Sequence, residues 1–236
     1  MMIMNPSAHA ASVREMFARI ARHYDLLNRL MTLGQDRRWR SAAIHRLEIS
    51  PSAPILDVGC GTGDIALEIA RRYAEPTIVG LDFTWEMIAI ARRRPGGDRV
   101  NWIVADALHL PFPRNVFQGV ISGFLMRNVP DVPAALVEQR RVCQPAGRLA
   151  VLDTTRPRPG LFSPLIQFHL RVGIPLLGRL IAGDAQAYRY LPETTRLFLS
   201  AESLAEAIQR AGFDAVGFAR RMLGTIAIHW ARKPIK

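Results

Sequence analysis

Residues 55–64, Ile-Leu-Asp-Val-Gly-Cys-Gly-Thr-Gly-Asp, decide the fold. The apolar run Ile55 to Val58 predicts a short buried strand, and from Asp64 onward apolar residues recur every three or four positions, which predicts a helix. Three glycines lie between them at spacing two, where a missing Cβ lets the chain turn sharply and lets a ligand approach the backbone. The stretch therefore predicts a strand, a tight turn and a helix, with a ligand site at the turn.

The same alternation continues outward from this unit. Short β-branched runs alternate with helical patterns, which is typical of a parallel sheet covered by crossover helices. We predict an α/β fold with a doubly wound, mostly parallel, seven-stranded sheet. The predicted strands are 55–58, 77–81, 100–104, 119–123, 148–152, 216–219 and 225–230, and the predicted helices include 64–73, 85–94, 132–143 and 201–211.

Two segments lie outside this alternation. Residues 1–50 carry two apolar stripes and no strand pattern, which predicts a cap of N-terminal helices. Residues 161–199, after the fifth strand, are again apolar and helical in pattern, which predicts a helical lid. Charged residues and prolines interrupt this apolar segment, and the N-terminus has no secretory leader, so we expect a cytoplasmic protein. We find no linker and predict one domain over 1–236.

The glycine turn discriminates between nucleotide ligands. A nicotinamide fingerprint needs a glycine where Asp64 stands, and a triphosphate loop needs a lysine, whereas the first lysine of the chain is Lys233. Two carboxylates, Asp57 and Asp64, flank the turn; they would repel a pyrophosphate and attract a cation. S-adenosyl-L-methionine carries a sulfonium cation and fits this requirement.

Further acids follow the next two strands. Asp82 ends the second strand, nineteen positions beyond Gly63, where a carboxylate can accept both ribose hydroxyls. Asp106 follows the third strand and can bind the adenine amine. Any one of these acids is more typical of a solvated turn or a helix cap, but acids at three successive strand ends favour the cofactor. The predicted cofactor-binding residues are Asp57, Gly59, Gly61, Thr62, Gly63, Asp82, Asp106 and Ala107.

The chain is strongly basic, with 31 Lys and Arg against 20 Asp and Glu and a net charge of +11. The excess allows two interpretations, attraction to an anionic partner or a bias toward arginine codons. We favour the second because the arginines are spread along the chain. The two cysteines, Cys60 and Cys143, have neither paired spacing nor a histidine cluster nearby, so we predict no metal site and no disulfide.

Motifs outside the glycine turn are more specific. They include Val-Arg-Glu-Met-Phe at 13–17, Leu-Pro-Phe at 110–112, Arg-Asn-Val at 127–129, Pro-Ala-Gly-Arg-Leu at 145–149 and Ala-Tyr-Arg-Tyr-Leu at 187–191. With them, the chain resembles the class I methyltransferases, which have a Rossmann-like fold. Within that class it is similar to the menaquinone and ubiquinone biosynthesis C-methyltransferases, from about residue 13 to residue 233.

The resemblance implies methyl transfer from S-adenosyl-L-methionine to a ring carbon of a prenylated quinol, either demethylmenaquinol or a ubiquinol precursor. Such a carbon is a poor nucleophile until a ring hydroxyl loses its proton, so the substrate is the reduced quinol. Arg127 and Asn128 follow the fourth strand and are the predicted catalytic residues, Arg127 to stabilise the phenolate or position a water molecule and Asn128 to orient Arg127 or the substrate. The base is left open among His169, His229 and Tyr24.

Other functions stay open. The chain has Gly123 where the family has a serine, Leu125 and Met126 where it has Gly-Leu, and Gln118 where it has an aspartate, which concerns substrate contact. Alternatives are methylation of another hydrophobic phenol or of RNA, and a non-catalytic cofactor-binding subunit of a quinone-assembly complex. Nucleic acid is disfavoured, because Arg-Asn-Val-Pro at 127–130 replaces a base-holding Asn-Pro-Pro-Tyr motif. The apolar lid either completes the core or covers a polyprenyl tail and contacts the inner face of the membrane, and its spacing does not decide between them. A homodimer is a further expectation.

Overall fold

The computed structural model describes residues 6–50, 52–156, 194–195 and 197–235. The helical lid predicted over 161–199 lies outside the described residues apart from its last few positions, and His169 lies outside them as well. The described helices are α1 (Pro6–Met31), α2 (Asp36–His45), α3 (Asp64–Arg72), α4 (Trp85–Arg93), α5 (Val132–Val142) and α6 (Ala201–Arg210). The strands are β1 (Ile55–Val58), β2 (Ile78–Asp82), β3 (Val100–Val104), β4 (Phe117–Gly123), β5 (Cys143–Thr154), β6 (Asp214–Arg221) and β7 (Ile226–Arg232).

The seven strands form one sheet in the order β3-β2-β1-β4-β5-β7-β6. Strands β1 to β5 are parallel, whereas β7 runs antiparallel to both β5 and β6. The strand order reverses direction between β1 and β4, and at such a point a crevice opens outside the carboxyl ends of the strands. The doubly wound, mostly parallel sheet is therefore confirmed.

Helices cover both faces of the sheet, which explains why the central strands read as continuous apolar runs. Every residue of β1 and β2 is buried. On one face Leu56 packs in a cluster with Leu136 of α5 and Leu204 of α6. On the other, Ile55 packs with residues of α2 and α3 such as Ile44. Alternate residues of one strand thus complete two separate cores.

The predicted N-terminal stripes form helices, as expected. In α1 the side chains of Val13, Met16 and Ile20 are buried, and in α2 so are Trp39 and Ala43. Helix α1 is 26 residues long and contacts α4. None of the described helices is both long and apolar enough to cross a lipid bilayer.

Strand β5 begins five residues earlier than predicted. Phe117 pairs with Cys143 and Gly119 with Arg148, so the register shifts across a bulge that absorbs the intervening residues of β5. Pro145 and Gly147 lie inside this bulge and break the strand pattern in the sequence. The pairing partner, rather than local propensity, therefore extends the strand.

Candidate active site

A cleft lies at the edge of the sheet where the central parallel strands end. The space between its lining atoms, open mouth included, is about 740 Å³, within the range of small-molecule sites. Its lining comes from α1, the glycine turn and the segments after β2, β3 and β4. The lining residues are Val13, Phe17, Tyr24, Gly59, Gly61, Leu81, Asp82, Phe83, Met87, Ala105, Asp106, Ala107, Gly123, Phe124, Leu125, Asn128, Val129 and Pro130.

The glycine turn is shaped by close packing. Gly59 has a φ of 69°, and a Cβ on it would lie 2.7 Å from Cδ1 of Leu125. Gly63, the first cap of α3, has a φ of 87°, and a Cβ there would lie 2.6 Å from Cη2 of Trp102. Both positions therefore exclude a side chain on steric and conformational grounds. At Gly61 a Cβ would meet nothing within 4 Å, so this part of the turn leaves open space in the cleft.

Asp82 presents its carboxylate to the cleft and also holds the turn. Its Oδ2 accepts a hydrogen bond from the backbone N of Gly61 at 2.9 Å, and its Oδ1 accepts one from the backbone N of Thr84 at 2.9 Å. Burial raises the pKa of Asp82, and the backbone hydrogen bonds oppose that rise. Each carboxylate oxygen can accept more than one hydrogen bond, so Asp82 can still accept from a ligand hydroxyl.

Asp106 and Ala107 line the same cleft after β3. The Asp106 carboxylate is exposed, and its Oδ1 accepts a hydrogen bond from the backbone N of Leu108 at 2.9 Å. Ala107 is buried and adds an apolar wall. The structure thus brings Gly59, Gly61, Asp82, Asp106 and Ala107 together around one cavity.

Three predicted cofactor-binding residues, Asp57, Thr62 and Gly63, lie behind the lining. Asp57 is buried, and its Oδ2 accepts a hydrogen bond from the backbone N of Ala66 at 3.1 Å. Its Oδ1 has no hydrogen-bond partner among the described residues. Burial raises the pKa of the Asp57 carboxyl to about 7. Thr62 donates from Oγ1 to Oδ1 of Asp25 in α1 at 2.6 Å. These side chains contact α3 and α1, so they brace the turn.

The expectation that Asp64 would face a ligand cation is wrong. Its carboxylate pairs with Nη1 of Arg40 at 2.8 Å and with Nη1 of Arg94 at 2.7 Å. Burial raises the pKa of Asp64, but the two guanidinium groups outweigh burial and hold that pKa below its usual value. Two arginines already neutralise this charge, and among the described residues Asp82 and Asp106 are the carboxylates that line the cleft.

Arg127 is buried, and Asn128 lines the cleft. Nη1 of Arg127 lies 2.6 Å from Oδ1 of Asp153, and the two side chains are 4% and 1% exposed. The guanidinium carbon lies 5.2 Å from the ring centroid of Phe124, which lines the cleft, whereas Arg127 is not among the described lining residues. Asn128 donates from Nδ2 to the carbonyl of Phe124 at 3.0 Å, while its Oδ1 is buried and has no hydrogen-bond partner among the described residues. An unsatisfied buried acceptor at a cavity wall suits a ligand donor.

Of the two described candidate bases, Tyr24 lines the cleft and His229 does not. Nε2 of His229 lies 2.9 Å from the carbonyl of Ala201, and burial lowers the pKa of this histidine, which is not among the cleft residues. Tyr24 does line the cleft, and its ring packs edge-on against Phe17 with centroids 5.7 Å apart. Burial raises the pKa of Tyr24, and the positive charge of Arg127 opposes that rise. Of the described candidates, only Tyr24 can reach a ligand in this cleft.

The sequence prediction missed three residues of the site region, which are Asp25, Arg94 and Asp153. Asp153 pairs with Arg127, and Arg94 binds both the carbonyl of Thr62 at 2.8 Å and the Asp25 carboxylate at 3.3 Å. Asp153 could have been found, because it follows an apolar strand run just as Asp82 does. The contact between Arg94 and Asp25 spans 69 residues and has no local signal. Among the described residues, no group of three or more His, Cys, Asp or Glu is placed to hold a metal ion.

Comparison with known proteins identifies the family. The model of the ubiE/COQ5 methyltransferase family matches residues 5–233. The chain belongs to the ubiE/COQ5 methyltransferase family. Membership confirms the resemblance seen in the sequence and the predicted class of enzyme, an S-adenosyl-L-methionine-dependent methyltransferase.

Relatives of this family member match over nearly their whole length. A protein of Desulfotalea psychrophila named ubiquinone/menaquinone biosynthesis C-methyltransferase UbiE is 45% identical, covering 94% of this chain and 90% of that protein. A demethylmenaquinone methyltransferase of Thermus thermophilus is 43% identical, covering 93% of this chain and 100% of that protein.

Solved structures with the same fold are more distant in sequence. The cyclase SpnF superposes with a TM-score of 0.65 at 24% identity, covering 85% of this chain and 82% of that one. A phosphoethanolamine N-methyltransferase of Haemonchus contortus, in complex with S-adenosyl-L-methionine, gives a TM-score of 0.63 at 15% identity, covering 83% of this chain and 52% of that one. At these identities the likeness shows the fold alone, and a cyclase among the neighbours illustrates that fold does not fix the reaction.

Proposed function

We propose that this family member transfers the methyl group of S-adenosyl-L-methionine to a ring carbon of a prenylated quinol, either demethylmenaquinol or a ubiquinol precursor. The observation that carries the proposal is one cleft that combines the glycine turn, the Asp82 carboxylate and an apolar wall with an unsatisfied amide oxygen. The names of the relatives, which describe methylation in menaquinone and ubiquinone biosynthesis, support the same substrate class.

The cofactor seat is proposed on the β1–β2 side of the cleft. Asp82 would accept hydrogen bonds from the ribose hydroxyls. The open space at Gly61 and the close turn at Gly59 would let the ligand lie next to the backbone. Asp106 and Ala107 would hold the adenine. Asp57, Thr62 and Gly63 would act by holding the turn. The seat fits the cofactor because Gly61 leaves the space that a ligand needs and Asp82 retains free acceptor sites.

The substrate ring is proposed to lie against the apolar residues of α1 and the segment after β4. Val13, Phe17, Leu125 and Val129 offer the apolar contacts there. The unpartnered Oδ1 of Asn128 would accept a hydrogen bond from a quinol hydroxyl, which orients the ring. Tyr24 lies on the same wall and is the described side chain best placed to exchange a proton with that hydroxyl.

Arg127 is proposed to act through its neighbours. Its guanidinium lies near the ring of Phe124 and pairs with the Asp153 carboxylate. Arg127 would therefore act on a ligand in the cleft through its electric field and not through direct contact. That field would favour the phenolate form of a bound quinol, in a site from which water is excluded. Because Asp153 neutralises part of it, we assign Arg127 a positioning role and Asn128 direct contact.

The bound cofactor supplies an electrophilic methyl group. Held by Asp82, Asp106 and Ala107, it would give this methyl group to the ring carbon, which would release one proton for the methyl group that it gains. The protein's own contribution is to hold the ring carbon in line at near-attack distance, which can supply much of the rate. Tyr24, Asn128 and the apolar wall would perform this alignment.

The cellular setting belongs to the same proposal. We propose a cytoplasmic protein that meets the inner face of the membrane, where a prenylated substrate is dissolved. A helical lid over 161–199 and a homodimer stay predictions, and we propose no nucleic-acid substrate.

The proposal predicts transfer of label from methyl-labelled S-adenosyl-L-methionine to reduced demethylmenaquinone by the purified protein. Asp82→Asn should weaken cofactor binding by about 10- to 100-fold, because it removes a charged acceptor. Asn128→Ala should leave cofactor affinity unchanged and lower kcat by about tenfold or more. Extraction of the lipid phase measures transfer, and calorimetry measures cofactor binding.

Asp98→Asn is the matched control, because Asp98 is an exposed acid that does not line the cleft. It should change neither measurement. Cofactor binding without label in any reduced quinone would contradict the proposal and favour a non-catalytic subunit.

A further inference from the structure

The arginines that are spread along the sequence gather on one surface of the fold. Among the described residues, a broad basin beside α2 and α3 is lined by eight arginines and two carboxylates, Asp64 and Glu68. It therefore holds a large part of the chain's net charge of +11. The interpretation of the basic composition as codon bias alone does not account for this placement.

Part of the positive charge in the basin is not neutralised. Asp64 pairs with Arg40 and Arg94, and Glu68 pairs with Arg71 and Arg72. Among the described residues, no carboxylate lies within ion-pair distance of the remaining four, which are Arg29, Arg37, Arg38 and Arg99. Arg29, Arg37 and Arg38 are exposed, so they can meet an external anion.

Apolar side chains are exposed beside these arginines. Leu26 and Leu30 lie one turn apart on α1 and are 51% and 39% exposed, and Leu33, in the turn that leads to α2, is 77% exposed. Arg29 of the same helix lines the basin. The end of α1 and the turn after it therefore carry a leucine stripe, Leu26, Leu30 and Leu33, next to the basin.

The backbone holds Leu33 in an unfavourable conformation. Its φ is 53°, in the left-handed region that leucine rarely adopts. Leu33 is thus exposed, and its apolar side chain gains little packing within the described fold. Contact with an apolar environment outside the protein would bury this side chain.

We propose that the basin and the leucine stripe together dock the protein on an anionic phospholipid bilayer. Arginines paired with an apolar stripe suit the boundary between headgroups and acyl chains, because the cations meet lipid phosphates while the leucines enter the apolar layer. An RNA surface would need the cations but not the leucines. The inference rests on the proposed function only in that a prenylated substrate gives the docking a purpose.

The test measures partition of the full chain onto phosphatidylcholine vesicles with and without phosphatidylglycerol. The wild-type protein should prefer the anionic vesicles, and added salt should weaken the binding. R37Q/R38Q should bind them at least about tenfold more weakly. R114Q/R210Q, which removes the same charge from two exposed arginines outside the basin, should bind like the wild type.

Leu33→Asn separates docking from folding. Asparagine tolerates a positive φ, so the free energy of unfolding should stay equal or rise, whereas vesicle binding should fall several-fold. Methyl transfer to a short-chain, water-soluble quinol should be unchanged in all three variants, so a failure of docking is distinguishable from a failure of the proposed function.

Three results would overturn the inference. The first is equal binding to both vesicle types, or binding that none of the variants weakens. The second is a loss of affinity for single-stranded RNA in R37Q/R38Q without vesicle binding by the wild type, which would make the basin a nucleic-acid surface. The third is a change in sedimentation from dimer to monomer in Leu33→Asn with vesicle binding unchanged, which would make the stripe a subunit interface.

Discussion

Asp57 is the residue on which the glycine turn is braced. Its carboxylate joins β1 to α3 through the backbone N of Ala66, and the other oxygen is buried without a partner. Burial is the largest influence and raises the pKa of this carboxyl to about 7. Near neutral pH the side chain therefore lies between its neutral and charged forms, inside the unit that we propose to hold the cofactor.

This pKa makes a prediction about stability. Between an unfolded pKa of about 3.8 and a folded pKa of about 7, the native state holds a proton that the unfolded chain has lost. The contribution of Asp57 is therefore most favourable below this window and falls as the pH rises through it. Asp57→Asn cannot titrate, so its free energy of unfolding relative to the wild type should increase by roughly 2–4 kcal/mol from pH 4.5 to pH 7.5.

Urea unfolding without ligand, repeated across this pH range, measures the difference. Asp98→Asn, the same substitution at an exposed position, serves as the control for replacing an acid by an amide. A difference for Asp57→Asn that does not vary with pH would show that the buried carboxyl titrates at its ordinary value.

At the scale of single elements, most of the sheet could be predicted. Strands β1 and β3 begin and end where the apolar runs do, and β2 is displaced by one residue. Burial on both faces makes β1 and β2 visible in the sequence as continuous apolar runs. The start of β5 could not be predicted, because Pro145 and Gly147 interrupt its pattern and only pairing with β4 extends it.

The site could be predicted only in part for the same reason. Residues at strand ends, such as Asp82, are placed by the sheet, and the strand pattern therefore locates them. The pairing of Asp64 with Arg94 depends on how α3 and the end of α4 pack, and no local pattern encodes it. Arg127 also followed a strand end, but its burial against Asp153 was set by the neighbouring strand.

Helix α5 offers a prediction at this scale. It begins after Asp131, whose Oδ1 accepts a hydrogen bond from the backbone N of Ala134 at 2.9 Å. Asp131→Ala removes this cap and should lower the free energy of unfolding by about 1 kcal/mol. Asp131→Asn keeps an acceptor oxygen and should lose much less. Urea unfolding with an unchanged m-value measures both, and equal losses in the two variants would show that the side-chain charge, not the cap, stabilises the helix.

At the scale of the whole molecule, α1 connects the two surfaces that matter. Val13, Phe17 and Tyr24 of this helix line the cleft, and Arg29 near its end lines the basin. Thr62 and Arg94 both hold Asp25 between those two parts. Arg94, which lines the basin, and Thr62 of the glycine turn therefore share one carboxylate of α1.

The charge of the molecule predicts how its stability depends on salt. Two opposing effects are present, repulsion among arginines without a carboxylate partner and attraction within pairs such as Asp64 with Arg40 and Arg94. These pairs are largely buried and are screened less than the exposed arginines. We therefore expect repulsion to dominate the salt response, so that the free energy of unfolding rises by about 1 kcal/mol between roughly 20 mM and 300 mM sodium chloride.

R37Q/R38Q locates the origin of that response. The variant should be more stable than the wild type at low salt and should respond less to added salt, because two of the repelling cations are gone. R114Q/R210Q changes the net charge equally and should keep most of the wild-type response, because its arginines lie outside the basin. Urea unfolding at each salt concentration decides between the two effects. A wild-type protein that loses stability as salt is added would show that the ion pairs, not the gathered arginines, govern the electrostatics of the fold.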